Sequence, residues 1–447
     1  MFKKVQNLSN VKIIALSFLV IILLGTFLLL LPISSCDHSS CSFVDALFTA
    51  TSATCVTGLV VFDTGTHWSI FGQIVILLMI QIGGLGFITI GVFFASFLRK
   101  KINLKQRNLI QDSVSSLHLQ GSVKLVIKTI KRTFMIELIG AVILTIEFLK
   151  DYDFIHAIYF GIFHSISAFC NAGFDLLGFI EPYGSLVPYK SDLVINFTIM
   201  SLIVIGGLGF IVWDDLSEKK FHIHSYLLQT KVVLITTFTL IIAGTLGIYA
   251  LERTNSLSSY STDQALLISM FQSITCRTAG FNTFDITQFT SGSRLIMMLL
   301  MFIGGSPGST AGGIKTTTFL VLIILVISNI QNKKNCNIFN RRFEEDGIKK
   351  ACTVFFINLF FLITGIMLLM IFQEKLGLEE VMYEVFSALG TVGISMGITR
   401  SLNIASKLVI VLLMYSGRVG TVTFTLLITG NKKELHIMNP VEKIAIG

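Results

Sequence analysis

The chain of 447 residues is 53% hydrophobic and only 13% charged, with a mean hydropathy of +0.79. Soluble globular chains carry about 25% charge, so this composition excludes a water-soluble domain and points to lipid. The net charge of +8 does not signal a nucleic-acid partner, because the basic residues fall in short runs between apolar spans, the positive-inside arrangement of a membrane protein.

Lys3, Lys4 and Lys12 accompany an apolar run from about Val11 to Ile33. That run is long enough to cross a hydrocarbon core of roughly 30 Å, and no clear small-residue cleavage site follows it. It reads as a first spanning helix entering from the cytoplasm, not as a signal peptide. Ser42 to Thr54 is apolar but too short to span, which suits a re-entrant half-helix capped by Ser42 with Asp45 in its first turn. Cys36 and Cys41 precede it in a predicted outer loop, placed for a disulfide or for two free thiols. A second spanning helix follows from about Trp68 to Leu98 and runs into Arg99, Lys100, Lys101, Lys105 and Arg107, a cytoplasmic mark.

The plan of helix, half-helix, turn and helix returns three times. The second copy has helices near Val126–Leu149 and Leu193–Trp213 around a half-helix near Phe154–Phe169. In the third, helices near Val232–Leu251 and Arg294–Ile330 flank a half-helix starting at Thr262. The fourth has helices near Ala351–Phe372 and Ile404–Thr429 and a half-helix near Leu378–Leu389. Lys333, Lys334, Arg341, Arg342, Lys349 and Lys350 mark the cytoplasmic side between copies three and four, while charge between copies two and three is nearly balanced. The expected fold is an all-α polytopic membrane protein of four tandem helix–pore-loop–helix repeats around one central pore. Repeat boundaries fall at 1–107, 108–225, 226–340 and 341–447, the last with a short cytoplasmic tail. Both termini are expected in the cytoplasm.

Each half-helix runs into a similar stretch: Thr51-Ser-Ala-Thr-Cys-Val-Thr-Gly-Leu59, Ser167-Ala-Phe-Cys-Asn-Ala-Gly-Phe174, Ser273-Ile-Thr-Cys-Arg-Thr-Ala-Gly-Phe281 and Ser387-Ala-Leu-Gly-Thr-Val-Gly-Ile394. Gly58, Gly173, Gly280 and Gly393 stand in register, about 110 residues apart. Backbone that is neither helix nor closed sheet sits at membrane depth only against protein or a water-filled cavity. Four such turns around one axis present carbonyl groups in place of an ion's water shell. The half-helices aim their partially negative C-terminal ends at that axis, which favours a cation, and Asp45, Asp153, Asp263 and Glu379 lie near the opposite ends. The predicted ion-binding residues are Val56, Thr57 and Gly58; Asn171, Ala172 and Gly173; Thr278, Ala279 and Gly280; and Thr391, Val392 and Gly393. The competing reading, glycines that merely ease helix packing, fits one turn better than four in register.

The second helices share a further signature: Ile82-Gly-Gly-Leu-Gly-Phe87, Ile205-Gly-Gly-Leu-Gly-Phe210, Ile303-Gly-Gly-Ser-Pro-Gly308 and Ser416-Gly-Arg-Val-Gly-Thr421. In the first two copies it reads mainly as small residues that let helices approach in lipid. The third copy extends into Gly304, Gly305, Ser306, Pro307, Gly308, Ser309, Thr310, Ala311, Gly312 and Gly313, a run that breaks any helix. Arg418, inside the last span, costs about 2.5–3.5 kcal/mol on insertion scales and needs a partner or water. The pore offers both; an ion pair within the bundle is the alternative. Glu137 is expected to pair locally with Lys131 or Arg132, and Lys315 reads ambiguously, just past the broken run.

With these stretches and Gly304-Gly-Ser-Pro-Gly-Ser-Thr-Ala-Gly-Gly-Ile-Lys-Thr-Thr317, the chain resembles the Trk/Ktr/HKT superfamily of potassium transporters, and within it the Ktr-type membrane subunit, from about residue 10 to 430. The resemblance implies K⁺ selectivity, because glycine holds all four filter positions. It also implies a gate beneath the filter, here residues 304–313 with Arg418, a homodimer in the cell membrane, and control by a cytoplasmic ring of nucleotide-binding RCK-type subunits. No cofactor is expected in this chain; K⁺ is cargo, and Na⁺ is a candidate activator. Two enzyme motifs fail on context. Gly304-Gly-Ser-Pro-Gly308 fits G-x-S-x-G without a preceding strand, and Ile314 spoils a Walker spacing between Gly308 and Lys315. A Na⁺-coupled secondary transporter with alternating access is the remaining alternative, disfavoured by four parallel repeats.

Overall fold

The computed structural model describes residues 10–86, 122–220, 222–333 and 335–429, together with Thr89, Gly91 and Glu442. The basic cluster from Arg99 to Arg107 and the tail expected to follow the last helix lie outside the described residues, Glu442 apart. Four long helices, α1 (Asn10–Leu29), α4 (Ser122–Phe148), α8 (Leu228–Glu252) and α12 (Glu345–Phe372), each precede a shorter one: α2 (Phe43–Cys55), α5 (Phe154–Phe169), α9 (Thr262–Thr275) and α13 (Leu378–Gly390). A two-stranded hairpin, Asn337–Ile338 with Arg341–Arg342, is the only sheet among the described residues.

Stretches within Lys12–Leu29, Leu228–Glu252 and Glu345–Phe372 are long and apolar enough to cross a membrane on their own. Their outward faces expose Phe27, Phe238, Phe356 and Phe360, an arrangement costly in water and natural in hydrocarbon. Helix α4 is equally long but polar at its N-terminal end. There Lys128 and Arg132 each lie 3.2 Å from Asp214, across in the same repeat unit. The local pairing expected for Glu137 does not form: its carboxylate accepts from Gln81 Nε2 at 3.1 and 3.2 Å. At membrane depth a primary amide meets a carboxylate without an arginine having to leave the interface.

The first short helix begins as expected, and the third is capped in the same way. Ser42 Oγ accepts from the Asp45 N–H at 3.1 Å, and Ser261 Oγ from the Gln264 N–H at 3.3 Å. Their outer ends link the units: Asp45 pairs with Lys407 at 2.6 Å and Glu379 with Arg294 at 2.9 Å. The first bond joins the fourth unit back to the first, so the arrangement closes into a ring.

The second helices depart from expectation. All four are interrupted rather than only the third: those of the first, second and fourth units stop at one register, and that of the third stops four positions earlier, at Phe302. Helix α3 (Ile70–Leu85) ends at Gly86, with φ +84°. The pair α6 (Leu193–Leu208) and α7 (Phe210–Lys219) bends by 96° at Gly209, with φ +96°. In the third unit α10 (Ser291–Phe302) and α11 (Thr316–Ile330) are separated by the broken run, and α14 (Ile404–Val419) gives way to α15 (Thr421–Thr429) at Gly420, with φ +95°. A positive φ is open to glycine and interrupts the helical ladder. The packing reading of the same motif also holds: a Cβ on Gly83, Gly206 or Gly417 would strike the carbonyl of Thr54, Phe169 or Leu389 near the end of a short helix.

Candidate functional site: a ring of four glycine turns

The four turns share one backbone. Residues two before each glycine, Val56, Asn171, Thr278 and Thr391, are left-handed with φ of 57°, 61°, 73° and 51°. The glycines follow with φ of 94°, 68°, 85° and 94°, while the residues between them, Thr57, Ala172, Ala279 and Val392, keep negative φ. A left-handed residue after a helix is a familiar terminator, but usually a glycine; bulky Val56 and threonines there are strained. Alternating handedness is a backbone pattern that suits successive carbonyls facing one side.

The turns meet. An added Cβ on Gly58 would lie 3.3 Å from the Cα atoms of both Gly173 and Gly393, and one on Gly173 would lie 2.6 Å from Gly280 Cα. Gly280 in turn neighbours Gly393, so the ring runs in chain order. Beside each glycine stands the carbonyl of the residue before a neighbouring glycine: Ala172 beside Gly58, Ala279 beside Gly173, Val392 beside Gly280 and Thr57 beside Gly393. There is room for backbone only.

Hydroxyls of the short helices hold the turns. The Gly58 N–H donates to Ser52 Oγ at 3.1 Å and the Gly393 N–H to Ser387 Oγ at 3.0 Å. In the middle two units the hydroxyl donates instead, Ser167 to the Phe174 carbonyl and Thr275 to the Phe281 carbonyl, both at 2.7 Å. The side chain of Asn171 meets Thr278 Oγ1 at 3.2 Å across two units. Glu384, fully buried, accepts from Ser395 Oγ at 2.6 Å and Thr399 Oγ1 at 2.5 Å. It thereby fixes the chain just after the fourth turn, a role the sequence did not announce.

Above the ring lies an open cavity of about 350 Å³ lined by all four glycines and by Asp63, Asp175, Glu181 and Asp285. Burial, and then the neighbouring Asp63, push the Asp175 carboxyl up to about 7. Asp63 is buried and accepts from the N–H groups of Gly65, Thr66 and Tyr183.

On the other side of the ring lies the broken run. It is tied down rather than loose: Ser306 N–H donates to Gly207 O at 3.0 Å, Thr310 N–H to Gly206 O at 3.3 Å and Gly304 N–H to Ile314 O at 2.8 Å. Thr310 Oγ1 donates to Phe169 O at 3.2 Å, and Gly312 abuts Thr391 of the fourth turn. Arg418 donates to the carbonyls of Thr310, Gly83 and Gly84 and has no carboxylate partner among the described residues. Its partners are backbone carbonyls. Lys315, left ambiguous by the sequence, turns inward, its Nζ donating to Ala311 O at 2.8 Å. Cys36 and Cys41 carry free thiols.

The TrkH family model, described as a cation transport protein, matches residues 4–434. The potassium/sodium uptake protein NtpJ of Enterococcus hirae is 40% identical, over 99% of this chain and 98% of its own. The Ktr system potassium uptake protein B of Bacillus subtilis is also 40% identical, over 92% of this chain and 91% of its own. In three dimensions the fold is similar to the crystal structure of the potassium transporter TrkH from Vibrio parahaemolyticus, with a TM-score of 0.75 at 18% identity, covering 95% of this chain and 86% of that one. Proteins of this kind are transporters rather than enzymes. The chain belongs to the TrkH family of cation transport proteins, within the Trk/Ktr/HKT superfamily and alongside its Ktr-type membrane subunits.

Proposed function

We propose that this chain is the ion-translocating membrane subunit of a K⁺ uptake system of the plasma membrane. The closed ring of backbone carbonyls formed by residues 56–58, 171–173, 278–280 and 391–393 carries this reading. No side chain intrudes at the glycines, and the carbonyls face one side, which suits a dehydrated monovalent cation. Glycine at all four positions and the name of the 40% identical Bacillus relative favour K⁺. Each filter turn falls in one repeat, with boundaries at 1–107, 108–225, 226–340 and 341–447.

Residues 304–313 act as the gate, with Arg418 as its clasp. The segment sits against the fourth turn, and Arg418 binds it to the first unit, so moving the segment clears the path below the ring. A cytoplasmic nucleotide-binding ring of RCK type supplies control, and the chain works as a homodimer with both termini inside; both assignments rest on the kinship with Ktr system proteins. Expression in a bacterium lacking K⁺ uptake, grown on limiting K⁺ with and without Na⁺, tests the function. Growth rescued by the chain supports it, and a Na⁺ requirement would add activation or coupling, the point on which the name of the Enterococcus relative bears. No rescue by a well-expressed chain together with a Ktr-type regulatory subunit would refute it.

A further inference from the structure

The mouth above the ring is acidic except at one place. Asp63, Asp175, Glu181 and Asp285 line it, and against them stands a single cation, Arg400. Arg400 lies on the one-turn helix Ile398–Ser401, just after the fourth glycine turn, and its guanidinium is exposed. No carboxylate pairs with it among the described residues. Instead it rests over the ring of Tyr183, 4.2 Å from the centroid. Tyr183 is itself held from both ends by the first unit: its N–H donates to Asp63 Oδ2 at 2.9 Å and its hydroxyl to Val61 O at 3.3 Å. Its backbone is left-handed, φ +62°, a conformation a bulky residue keeps only where its surroundings enforce it.

An arginine surrounded by carboxylates ordinarily finds one, so a guanidinium parked on an aromatic face keeps its charge uncancelled and fixed in place. We propose that Arg400 sets how strongly the mouth accumulates cations, a specificity- and rate-determining charge outside the ring. Four carboxylates alone would concentrate cations and also retain them, whereas conduction needs entry sites weak enough to leave. The fixed positive charge lowers that retention. This inference rests on the reading of the ring as an ion path.

The test is the external K⁺ dependence of uptake in vesicles holding the full chain. Arg400→Gln lowers the half-saturating K⁺ concentration by about two- to fivefold at an ionic strength on the order of 0.01 M, where the screening length is about 30 Å. The difference shrinks towards nothing near 1 M salt, because the group is exposed. Arg400→Lys, which keeps the charge and much of the contact with Tyr183, stays close to the unaltered chain. An Arg400→Gln curve superimposed on that of the unaltered chain at low salt overturns the inference, as does a shift in Arg400→Lys as large as in Arg400→Gln. If the unaltered chain carries no K⁺, the ion-path reading has failed rather than this one.

Discussion

Serine in place of Gly58 is the sharpest test of the carbonyl ring. At φ +94° any side chain is strained by about 1–3 kcal/mol. A Cβ there would also sit 2.5 Å from the Ala172 carbonyl oxygen, against an ordinary contact of 3.4 Å or more. Turning the first peptide back towards negative φ would relieve the first strain, but it rotates the Thr57 and Gly58 carbonyls off the axis. Pushing Ala172 away relieves the second and displaces a carbonyl of the neighbouring turn. Either way the geometry proposed to distinguish K⁺ from Na⁺ is degraded. A loss of about 1.4 kcal/mol, within that range, is a tenfold fall in the K⁺ over Na⁺ ratio. Reversal potentials or paired K⁺ and Na⁺ fluxes in vesicles read that ratio directly. Gly347→Ser is the control, since a Cβ there meets nothing within 4 Å. An unchanged ratio in a Gly58→Ser variant recovered in normal yield would remove Gly58 from the filter.

Three further outcomes follow from the same geometry. Removing Ser306 to Ala311 should raise K⁺ flux without a regulatory partner, Arg418→Gln should do so in part, and combining them should add little, because both act on one barrier; reduced or unchanged flux in a folded trimmed variant would make the segment scaffold. In a chain without other cysteines, one at exposed Asp37 should react with an impermeant thiol reagent from outside and one at exposed Lys220 should not, the reverse pattern overturning the topology. Asp63 is unsuited to that experiment because it is buried. Acidifying the external medium from pH 8 to pH 6 should weaken uptake at limiting K⁺, because Asp175 is charged above its raised pKa of about 7 and neutral below it; Asp175→Asn should flatten the profile, and an unaltered pH dependence in that variant would exclude this carboxyl.

The short helices and their turns were legible because independent signals coincide in each, a length too small to span and a register glycine, joined in the first by the cap at Ser42. The half-helix predicted near Phe154–Phe169 has those bounds in the structure. The breaks at Gly86, Gly209 and Gly420 were harder to see. Within a long apolar run, one glycine costs only about 1 kcal/mol against alanine, and the glycines three positions before it, Gly83, Gly206 and Gly417, are explained by close packing. What forces the break is tertiary: helix α7 leaves α6 at 96° and its first N–H, that of Phe210, donates to Gly308 O at 2.8 Å. The partner of Glu137 was illegible for a similar reason, since Gln81 lies 56 positions away on another unit.

The contact of Arg418 with the broken run, proposed above as clasp and gate, follows from a departure in one register position. Aligned on the glycine motif, Gly84, Gly207 and Gly305 correspond to Arg418. In the first unit that position faces Cys170, close to the end of a short helix, so a long side chain at the equivalent place in the fourth unit is directed inward below the ring. In lipid it cannot stay without acceptors. The carbonyls it reaches lie where other second helices break: Gly83 and Gly84 just before the stop at Gly86, and Thr310 in the run that replaces helix in the third unit. The breaks thus supply the acceptors that make a buried arginine tolerable, and the arginine in turn ties three of the four units together beneath the ring. A change that straightens any of these helices, Gly86→Ala among them, withdraws acceptors from Arg418 and should loosen the same contact that trimming the loop removes.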